Sequence, residues 1–185
     1  MECMTATLTS TGSTAAVIVT HQRTELLRAS LGQVVHQTHP VQWVIVVDNG
    51  AEDAVRELVE SMAGDRGVYV PSETNLGGAG GFALGFLTAL SLGADAVWCA
   101  DDDGRPADHA VLAELYRVAE ANRLHEVSPA VCNIDDPGRL AFPLRQGLVW
   151  RRRMDELEGD FLPGIASLFT GAGSSAAAGG GMGVP

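Results

Sequence analysis

The chain has 185 residues, 46% of them hydrophobic, which suits a single domain with a substantial core. Its 12 basic and 23 acidic residues give a formal net charge of −11. That balance argues against nucleic acid as the main partner, because phosphate backbones are held by Lys and Arg. Its three cysteines form no CxxC pair, so the sequence offers neither a disulfide framework nor a zinc site and suits a reducing compartment.

The two ends of the chain differ from its middle. Residues 1–14 lack the basic start and apolar core of a signal peptide, so they are predicted to be a flexible leader of a cytoplasmic protein. Residues 171–185 are almost entirely Gly, Ala and Ser and are predicted to be poorly ordered. Leu76–Ala94 carries no charge, but it contains six glycines and has acidic flanks. A glycine-rich loop before a buried helix is therefore favoured over a membrane span.

Between these ends, strand and helix alternate four times. The apolar runs predict short buried strands, and apolar residues at helical spacing predict the helices between them. In chain order the predicted elements are strand Ala15–Thr20, helix Thr24–Thr38, strand Trp43–Val47, a helix around Val55–Met62, strand Gly67–Val70, a helix from Phe82, strand Val97–Ala100 and helix Pro106–Asn122. This pattern predicts an α/β fold with a mostly parallel sheet covered by helices on both faces.

The pattern changes beyond Glu126. Pro129–Cys132 is predicted to be a fifth strand. Leu140–Phe142 and Gly147–Trp150 are predicted to form a hairpin or crossing strands around Pro143–Gln146. Arg151–Arg153 is the one basic run, interpreted either as a solubilising cluster or as a surface that faces a membrane or a diphosphate. The main domain is placed at residues 15–170.

Polar residues follow each of the four parallel strands. They are Thr20-His21, Asp48-Asn49, the glycine-rich stretch from Asn75, and Asp101-Asp102-Asp103. Ligands of such sheets bind outside the carboxyl ends of the strands, so these features are expected to form one site. Three adjacent carboxylates suit a hard cation such as Mg²⁺ or Mn²⁺, which would hold a polyphosphate there.

Each of these features also has a simpler interpretation. Thr20 and His21 are suited to capping the next helix, and Asp48-Asn49-Gly50 is a good turn sequence. The glycines could serve only tight packing of a helix on the sheet, and the aspartates could be a solvated turn. The convergence of all four at one edge of the sheet favours the functional interpretation.

The same residues resemble a known family. Val17–Arg23, Val46–Gly50, Asn75–Phe82 and Asp101–Asp103 occur in the order found in family 2 inverting glycosyltransferases of GT-A fold, and the resemblance covers about Ala15 to Gly171. Within that family the chain is most similar to the bacterial galactofuranosyltransferases that initiate cell-wall galactan. The resemblance implies transfer of galactofuranose from UDP-galactofuranose to a polyprenyl-diphosphate-linked rhamnosyl-GlcNAc acceptor. It also implies peripheral association with the inner face of the plasma membrane.

The resemblance further implies roles for individual residues. Contacts with the nucleotide sugar are implied for Thr20, His21, Arg23, Asp48, Asn75, Gly77, Gly78, Asp101 and Asp102. Thr20, His21 and Arg23 would line the uridine pocket, and Asp48 would hydrogen-bond the uracil. Asn75 and the glycines would let backbone N–H groups approach the ribose and diphosphate, and Asp102 would face the sugar or ribose. Asp101 and Asp103 would ligate Mn²⁺ or Mg²⁺. Trp150 would stack on an acceptor sugar, although a lone Trp in a hairpin also suits packing.

The chain departs from the family pattern in two places. His21-Gln22 stands where the common motif has Tyr-Asn, and no match to the family's general-base motif or last metal-binding histidine follows the triple Asp. Asp155, Glu156 and Asp160 are acids outside the family context, so the base is assigned to none of them. The expectation is the donor-binding part of a longer enzyme, or a degenerate relative, which binds UDP with metal yet transfers sugar poorly or not at all.

Other classes remain as alternatives. One is a non-catalytic UDP-sugar-binding module, and another is a different family 2 enzyme such as a rhamnosyltransferase. A sugar nucleotidyltransferase is disfavoured, because the turn after the first strand contains no glycine. A dinucleotide-binding domain and a P-loop are disfavoured too, because the glycines lack G-x-G-x-x-G spacing and no Gly-Lys-Ser/Thr occurs.

Overall fold

A computed structural model describes residues 8–157 and, as a backbone strand, 169–171. The strands are β1 (Thr14–Thr20), β2 (Trp43–Asp48), β3 (Gly67–Pro71), β4 (Ala96–Asp101), β5 (Gly104–Pro106), β6 (Val131–Asn133), β7 (Arg139–Gln146), β8 (Val149–Arg153) and β9 (Phe169–Gly171). The helices are α1 (Thr24–Val35), α2 (Asp53–Ala63), α3 (Gly77–Ser91) and α4 (Val111–Asn122). Residues 1–7 of the predicted leader and 172–185 of the predicted tail lie outside the described residues.

The first sheet contains four parallel strands in the order β3-β2-β1-β4. Its two central strands are continuous apolar runs, which is the pattern of strands buried on both faces. The predicted α/β architecture with a parallel sheet is confirmed. Because all four strands run the same way, their carboxyl ends lie along one edge, and the polar residues that follow them are brought to that edge.

Both faces of this sheet are covered, because alternate residues of each strand point to opposite sides. Ile18 of β1 belongs to a core formed with the buried faces of α1, α2 and α4. Its neighbour Val17 belongs to a second core, which includes Ala89 of α3. The helix α3 therefore lies alone on one face of the sheet, with the three other helices on the opposite face.

The second sheet has the order β5-β9-β6-β7-β8. Its strand β5 begins directly after the three aspartates, so the acidic turn joins the two sheets. The strands β7 and β8 pair antiparallel, which confirms a hairpin and not crossing strands. The predicted turn at Pro143–Gln146 is wrong, because these residues belong to β7 and the chain turns at Gly147-Leu148. Cys132 of β6 and Leu140 of β7 form a small buried core beneath it.

Two predicted helix starts are wrong. The helix α3 begins at Gly77, so the glycine-rich stretch is its first turn and not a loop before Phe82. The helix α4 begins at Val111 and not at Pro106, which belongs to β5. The turn between them is fixed by the carboxylate of Asp108, which accepts a 2.8 Å hydrogen bond from the backbone N–H of Ala110.

The described part of the leader is bonded to the rest of the protein. The N–H of Leu8 donates to the carbonyl oxygen of Leu124 at 3.3 Å, and the N–H and hydroxyl of Ser13 both donate to Asp95 at 2.8 Å. Thr14, assigned to the leader by sequence, is the first residue of β1. Among the described residues no helix has the length and apolar character needed to cross a membrane.

Candidate functional site

The carboxyl ends of β1, β2 and β4 are joined by hydrogen bonds at Thr20. Its hydroxyl donates to the Oδ2 of Asp102 at 2.9 Å, and its carbonyl oxygen accepts from the N–H of Asn49 at 2.9 Å. Thr20 is buried, so both bonds are protected from competing water. Thr20 therefore fixes the acidic turn relative to the turn after β2.

The three aspartates differ in their surroundings. Asp102 is only 7% exposed and points towards Thr20, whereas Asp101 reaches the surface and Asp103 is half-buried. The backbone of this turn is held by Ser30 of α1, whose hydroxyl lies 2.8 Å from the carbonyl oxygen of Asp101 and 3.0 Å from that of Gly104. The turn is thus supported both from β1 and from α1.

Arg23 supplies positive charge to the acidic turn. Its guanidinium lies 3.1 Å from the carboxylate of Asp103 and 3.5 Å from that of Asp102. The resemblance placed Arg23 in the uridine pocket, and these ion pairs were not predicted from sequence. With its side chain 43% exposed, Arg23 lies at the mouth of the site.

The acidic turn holds more negative charge than Arg23 offsets. Crowding by the surrounding protein raises the pKa of Asp101 even though its side chain reaches the surface, and the charges of Asp103 and Asp102 raise it further. Burial also raises the pKa of Asp102, against the opposing effects of Thr20 and Arg23. Within the described part of the chain Asp101 forms no ion pair. An additional cation would therefore be stabilised here.

The start of α3 provides backbone donors beside this edge. Gly77 has φ +66°, which a residue with a side chain adopts only at a cost, and nothing lies within 4 Å of the position that a Cβ at Gly77 or Gly78 would occupy. The first N–H groups of a helix have no partner within the helix, and together with the helix dipole they attract anions. The first turn of α3 is therefore open to close approach by a diphosphate.

Other glycines of α3 serve packing. A Cβ on Gly81 would lie 2.5 Å from Val19, and one on Gly85 would lie 2.3 Å from Val17. Because neither position carries a Cβ, α3 can lie directly on β1. The simpler interpretation of the glycines thus applies to these two positions, whereas Gly77 and Gly78 have no such contact.

Two asparagines fix the start of α3. The side chain of Asn49 accepts from the N–H of Leu76 and donates to the carbonyl oxygen of Gly77, each at 3.3 Å. The Oδ1 of Asn75 accepts from the N–H of Gly77 at 2.8 Å. Asn49 was grouped with the site by sequence position but given no role. Its buried amide links the end of β2 to the start of α3.

Asp48 is fully buried, and its carboxylate already has three donors within the protein. It accepts from the N–H of Gly50 at 2.9 Å, from the N–H of Glu52 at 2.6 Å and from the hydroxyl of Tyr69 at 3.0 Å. Burial and the bond to Asp48 raise the pKa of Tyr69 to about 12. These bonds hold the turn between β2 and α2. The uracil contact expected of Asp48 stays a prediction.

The turns after β1 and β2 contain unusual backbone geometry. Gln22 has φ +55° and Ala51 has φ +50°, a region that non-glycine residues seldom adopt and that clusters at functional sites. Beside Gln22, the buried Nδ1 of His21 has no hydrogen-bond partner among the described residues. No sequence signal marked this strain, because neither residue is Gly, Asn or Asp.

The remaining predicted residues lie on the second sheet or beyond it. Trp150 is 60% exposed on β8, so it is not a core residue, and it is separated in sequence and sheet from the edge that holds the other candidates. Glu156 accepts hydrogen bonds from the backbone N–H groups of Arg152 and Arg153, which lower its pKa. Asp155 lies 3.6 Å from Arg153, and Asp160 lies outside the described residues.

The acidic turn offers two carboxylates to a metal ion. Among residues 8–157 and 169–171 no group of three or more His, Cys, Asp or Glu side chains is arranged to hold a metal ion. The donor set of the turn nevertheless fits a hard cation, because Asp101 and Asp103 offer carboxylate oxygens in a region of uncompensated negative charge. A third protein ligand is not provided by this turn.

Comparisons with known proteins agree with the sequence motifs. Residues 15–176 match the family model described as glycosyl transferase family 2. The chain is 57% identical over 172 residues to the galactofuranosyltransferase GlfT1 of Mycolicibacterium smegmatis, covering 89% of this chain and 57% of that protein. It is 56% identical over 181 residues to GlfT1 of Mycobacterium tuberculosis, covering 95% of this chain and 59% of the relative. The chain thus spans a little under three fifths of these relatives.

Solved structures with detectable likeness are more distant. The mannosyltransferase PcManGT from Pyrobaculum calidifontis, in complex with GDP-Man and Mn²⁺, is 20% identical with a TM-score of 0.48, covering 71% of this chain and 38% of that one. TarS 1–349 of S. aureus, in complex with UDP, is 19% identical with a TM-score of 0.49, covering 65% and 35% of the two chains.

Proposed function

The chain belongs to glycosyl transferase family 2, and on that premise we propose that it forms the donor-binding part of a metal-dependent galactofuranosyltransferase. The observation that carries the proposal is that the open start of α3 and the acidic turn both lie at the carboxyl ends of the parallel strands. The relatives at 56–57% identity are galactofuranosyltransferases, which supports galactofuranose as the donor sugar. The resemblance supports a polyprenyl-diphosphate-linked rhamnosyl-GlcNAc acceptor in cell-wall galactan synthesis.

Each part of the site would contribute to binding UDP-galactofuranose. The N–H groups of the first turn of α3 that Asn49 and Asn75 do not engage would receive the diphosphate, and the absence of side chains at Gly77 and Gly78 leaves room for it. The sugar or ribose would lie against Asp102, whose orientation is fixed by Thr20. His21, with an unpartnered ring nitrogen, would line the uridine pocket beside Arg23.

Mn²⁺ or Mg²⁺ would be held by Asp101 and Asp103 and would supply charge compensation for the departing diphosphate. In an inverting displacement the acceptor hydroxyl attacks the anomeric carbon as UDP leaves, and a general base takes the hydroxyl proton. That base is assigned to no described residue, because Glu156 is engaged by backbone donors and Asp155 pairs with Arg153. Trp150 is exposed and available for an acceptor sugar.

Thermal unfolding of the 185-residue chain tests donor binding. A ligand that binds only the folded state raises the unfolding midpoint, by about 2.7 kcal/mol of added stability at a hundredfold excess over Kd. We expect UDP to raise the midpoint with Mn²⁺ and to raise it far less with EDTA. The double variant Asp101→Ala/Asp103→Ala should lose the Mn²⁺-dependent part.

The matched control is Asp65→Ala, which removes an exposed carboxylate in the turn before β3, at the opposite end of the sheet. It should retain the full shift with UDP and Mn²⁺. A cooperative transition that does not respond to UDP would contradict the donor site. A UDP shift that still increases with Mn²⁺ to the wild-type extent in the Asp101/Asp103 variant would contradict the metal role while leaving the nucleotide pocket in place.

Binding and transfer are measured separately, because the chain spans only 57–59% of the relatives' length. Competition between UDP-galactofuranose, UDP-galactopyranose and dTDP-rhamnose identifies the donor, and stronger binding of dTDP-rhamnose would favour a rhamnosyltransferase instead. Incubation with UDP-galactofuranose and a synthetic lipid-linked acceptor measures transfer. Donor binding without transfer is expected of a chain that carries the donor site alone, and robust transfer would contradict that expectation.

A further inference from the structure

The basic residues of this acidic protein are concentrated in one hairpin. Residues 139–153, which form β7, β8 and the turn between them, contain five of the chain's 12 basic residues and no Asp or Glu. The whole chain has a net charge of −11. Because salt screens charges beyond about 8 Å at physiological ionic strength, the hairpin presents a basic surface of its own.

The two faces of this hairpin differ. Leu144 and Arg151 are paired across the strands, and Leu144 packs against the small core beneath the hairpin, so this face points inward. Arg145 is paired with Trp150, which places both on the opposite face. Arg152 lies two residues from Trp150 on the same strand and shares that outer face.

The outer face combines apolar and basic side chains. Trp150 is 60% exposed, and Leu148 in the turn is 89% exposed. Within the described part of the chain Arg145 and Arg152 form no ion pair, whereas Arg153 at the base pairs with Asp136 at 3.3 Å. Arg145, Trp150 and Arg152, together with Leu148 at the tip of the hairpin, form a surface called the hairpin face.

We propose that the hairpin face docks this protein onto the surface of an anionic phospholipid bilayer. The ring of Trp150 and the side chain of Leu148 enter the headgroup region, and Arg145 and Arg152 bind lipid phosphates. Amphipathic Trp rings and long Arg side chains are suited to this boundary, where one end is apolar and the other wet. The family resemblance already implied peripheral membrane association, and the proposal adds the surface that makes the contact.

Both kinds of side chain are needed for this choice of partner. The phosphates of a nucleic acid would bind the arginines but would provide no apolar surface for the exposed Leu148. A bilayer provides hydrocarbon beneath its phosphates. The helix α3 has a larger exposed apolar surface, including Leu87 and Leu90, but Leu76–Ala94 carries no charge at all. Charge complementarity to an anionic surface is therefore a property of the hairpin face and not of α3.

Vesicle flotation of the 185-residue chain tests the proposal. We expect binding to vesicles of phosphatidylcholine mixed with phosphatidylglycerol, little binding to phosphatidylcholine alone, and a decrease in binding with added salt. Each arginine near an anionic surface strengthens binding about fivefold, so Arg145→Gln/Arg152→Gln should weaken it roughly 25-fold. Leu148→Ser should weaken it through the lost apolar contact.

The matched controls change the same chemistry elsewhere. Arg28→Gln/Arg117→Gln removes the same charge from two helices, and Leu87→Ser removes an exposed leucine from α3. Unfolding midpoints establish that each variant is folded. Wild-type chain that ignores anionic vesicles would overturn the proposal, as would equal losses in the hairpin and helix arginine pairs. Loss of binding in Leu87→Ser with retention in Leu148→Ser would place the membrane surface on α3 instead.

Discussion

Among individual residues, Thr20 links two of the loops that form the site. Its hydroxyl orients Asp102 and its carbonyl oxygen receives the turn after β2, so a single side chain and its own backbone align two loops. Arg23, three residues later, balances part of the charge that Thr20 positions. Thr20 and Arg23 flank Gln22, whose φ of +55° lies in the left-handed region.

The glycines of α3 give a prediction at the residue scale. Gly78→Ala adds a Cβ into open space, so stability should stay the same or rise slightly, while affinity for UDP with Mn²⁺ should fall at least tenfold if the diphosphate approaches closely, about 1.4 kcal/mol. Gly85→Ala is the contrasting variant. Its Cβ would meet Val17 at 2.3 Å, and overpacking of this kind costs about 1–3 kcal/mol.

Calorimetric binding and thermal unfolding of both variants distinguish the two roles. Gly85→Ala should lower the unfolding midpoint by several degrees, at roughly 2–4 °C per kcal/mol for a chain of this size. Folded Gly85→Ala should still bind UDP. Unchanged UDP affinity in Gly78→Ala would contradict the close approach of the diphosphate to α3.

At the scale of elements, the site depends on how the helices are attached to the carboxyl ends of the strands. Ser30 is buried on α1, and its hydroxyl reaches the carbonyl oxygens of Asp101 and Gly104 on either side of the acidic turn. Asn49 performs the equivalent task for α3. The helices α1 and α3 are thus each attached to the sheet edge by one polar side chain.

The role of α1 is tested by Ser30→Ala. Loss of the buried hydroxyl leaves two carbonyl oxygens without this donor, which should cost about 1–3 kcal/mol of stability. The Mn²⁺ concentration needed for half-maximal UDP binding should also rise, because the turn that positions Asp101 is loosened. The control is Ser91→Ala, whose hydroxyl makes only a local bond to Thr88 at the exposed end of α3. An unchanged Mn²⁺ requirement would show that Ser30 serves stability alone.

Much of the fold could be predicted at the element scale, because it is encoded locally. Runs such as Val17–Val19 and Val44–Val47 are short and consist of β-branched apolar residues, which favours buried strands. The helix starts were harder. Glycine is a poor helix former, so nothing local marked Gly77 as the first residue of α3, and that outcome depends on the anchoring of Leu76 and Gly77 by Asn49.

At the scale of the whole molecule, the site combines residues that are far apart in the sequence. The order β3-β2-β1-β4 places the ends of β1 and β4 side by side, and this order cannot be read from periodicity. The expectation of parallel strands was enough to predict that Thr20, Asp48, Asn75 and Asp101 share an edge of the sheet. It did not predict which of them touch, because those contacts follow from register and side-chain direction.

The pairing of β1 with β4 has a consequence for the order in which the chain acquires its structure. Thr20 and Asp102 are separated by 82 positions, with α1, β2, α2, β3 and α3 between them. Closing so long a segment carries a large entropic cost, whereas helices form within a microsecond or so from local contacts.

During refolding from denaturant, the helical signal in circular dichroism should therefore appear before the ability to bind a fluorescent UDP analogue. Simultaneous recovery of both signals would contradict this sequence of events. On the proposed function, a nascent chain that has already formed α1 to α3 would still be unable to hold a donor. Recognition of the nucleotide would therefore report that β4, the last strand of the parallel sheet, has docked.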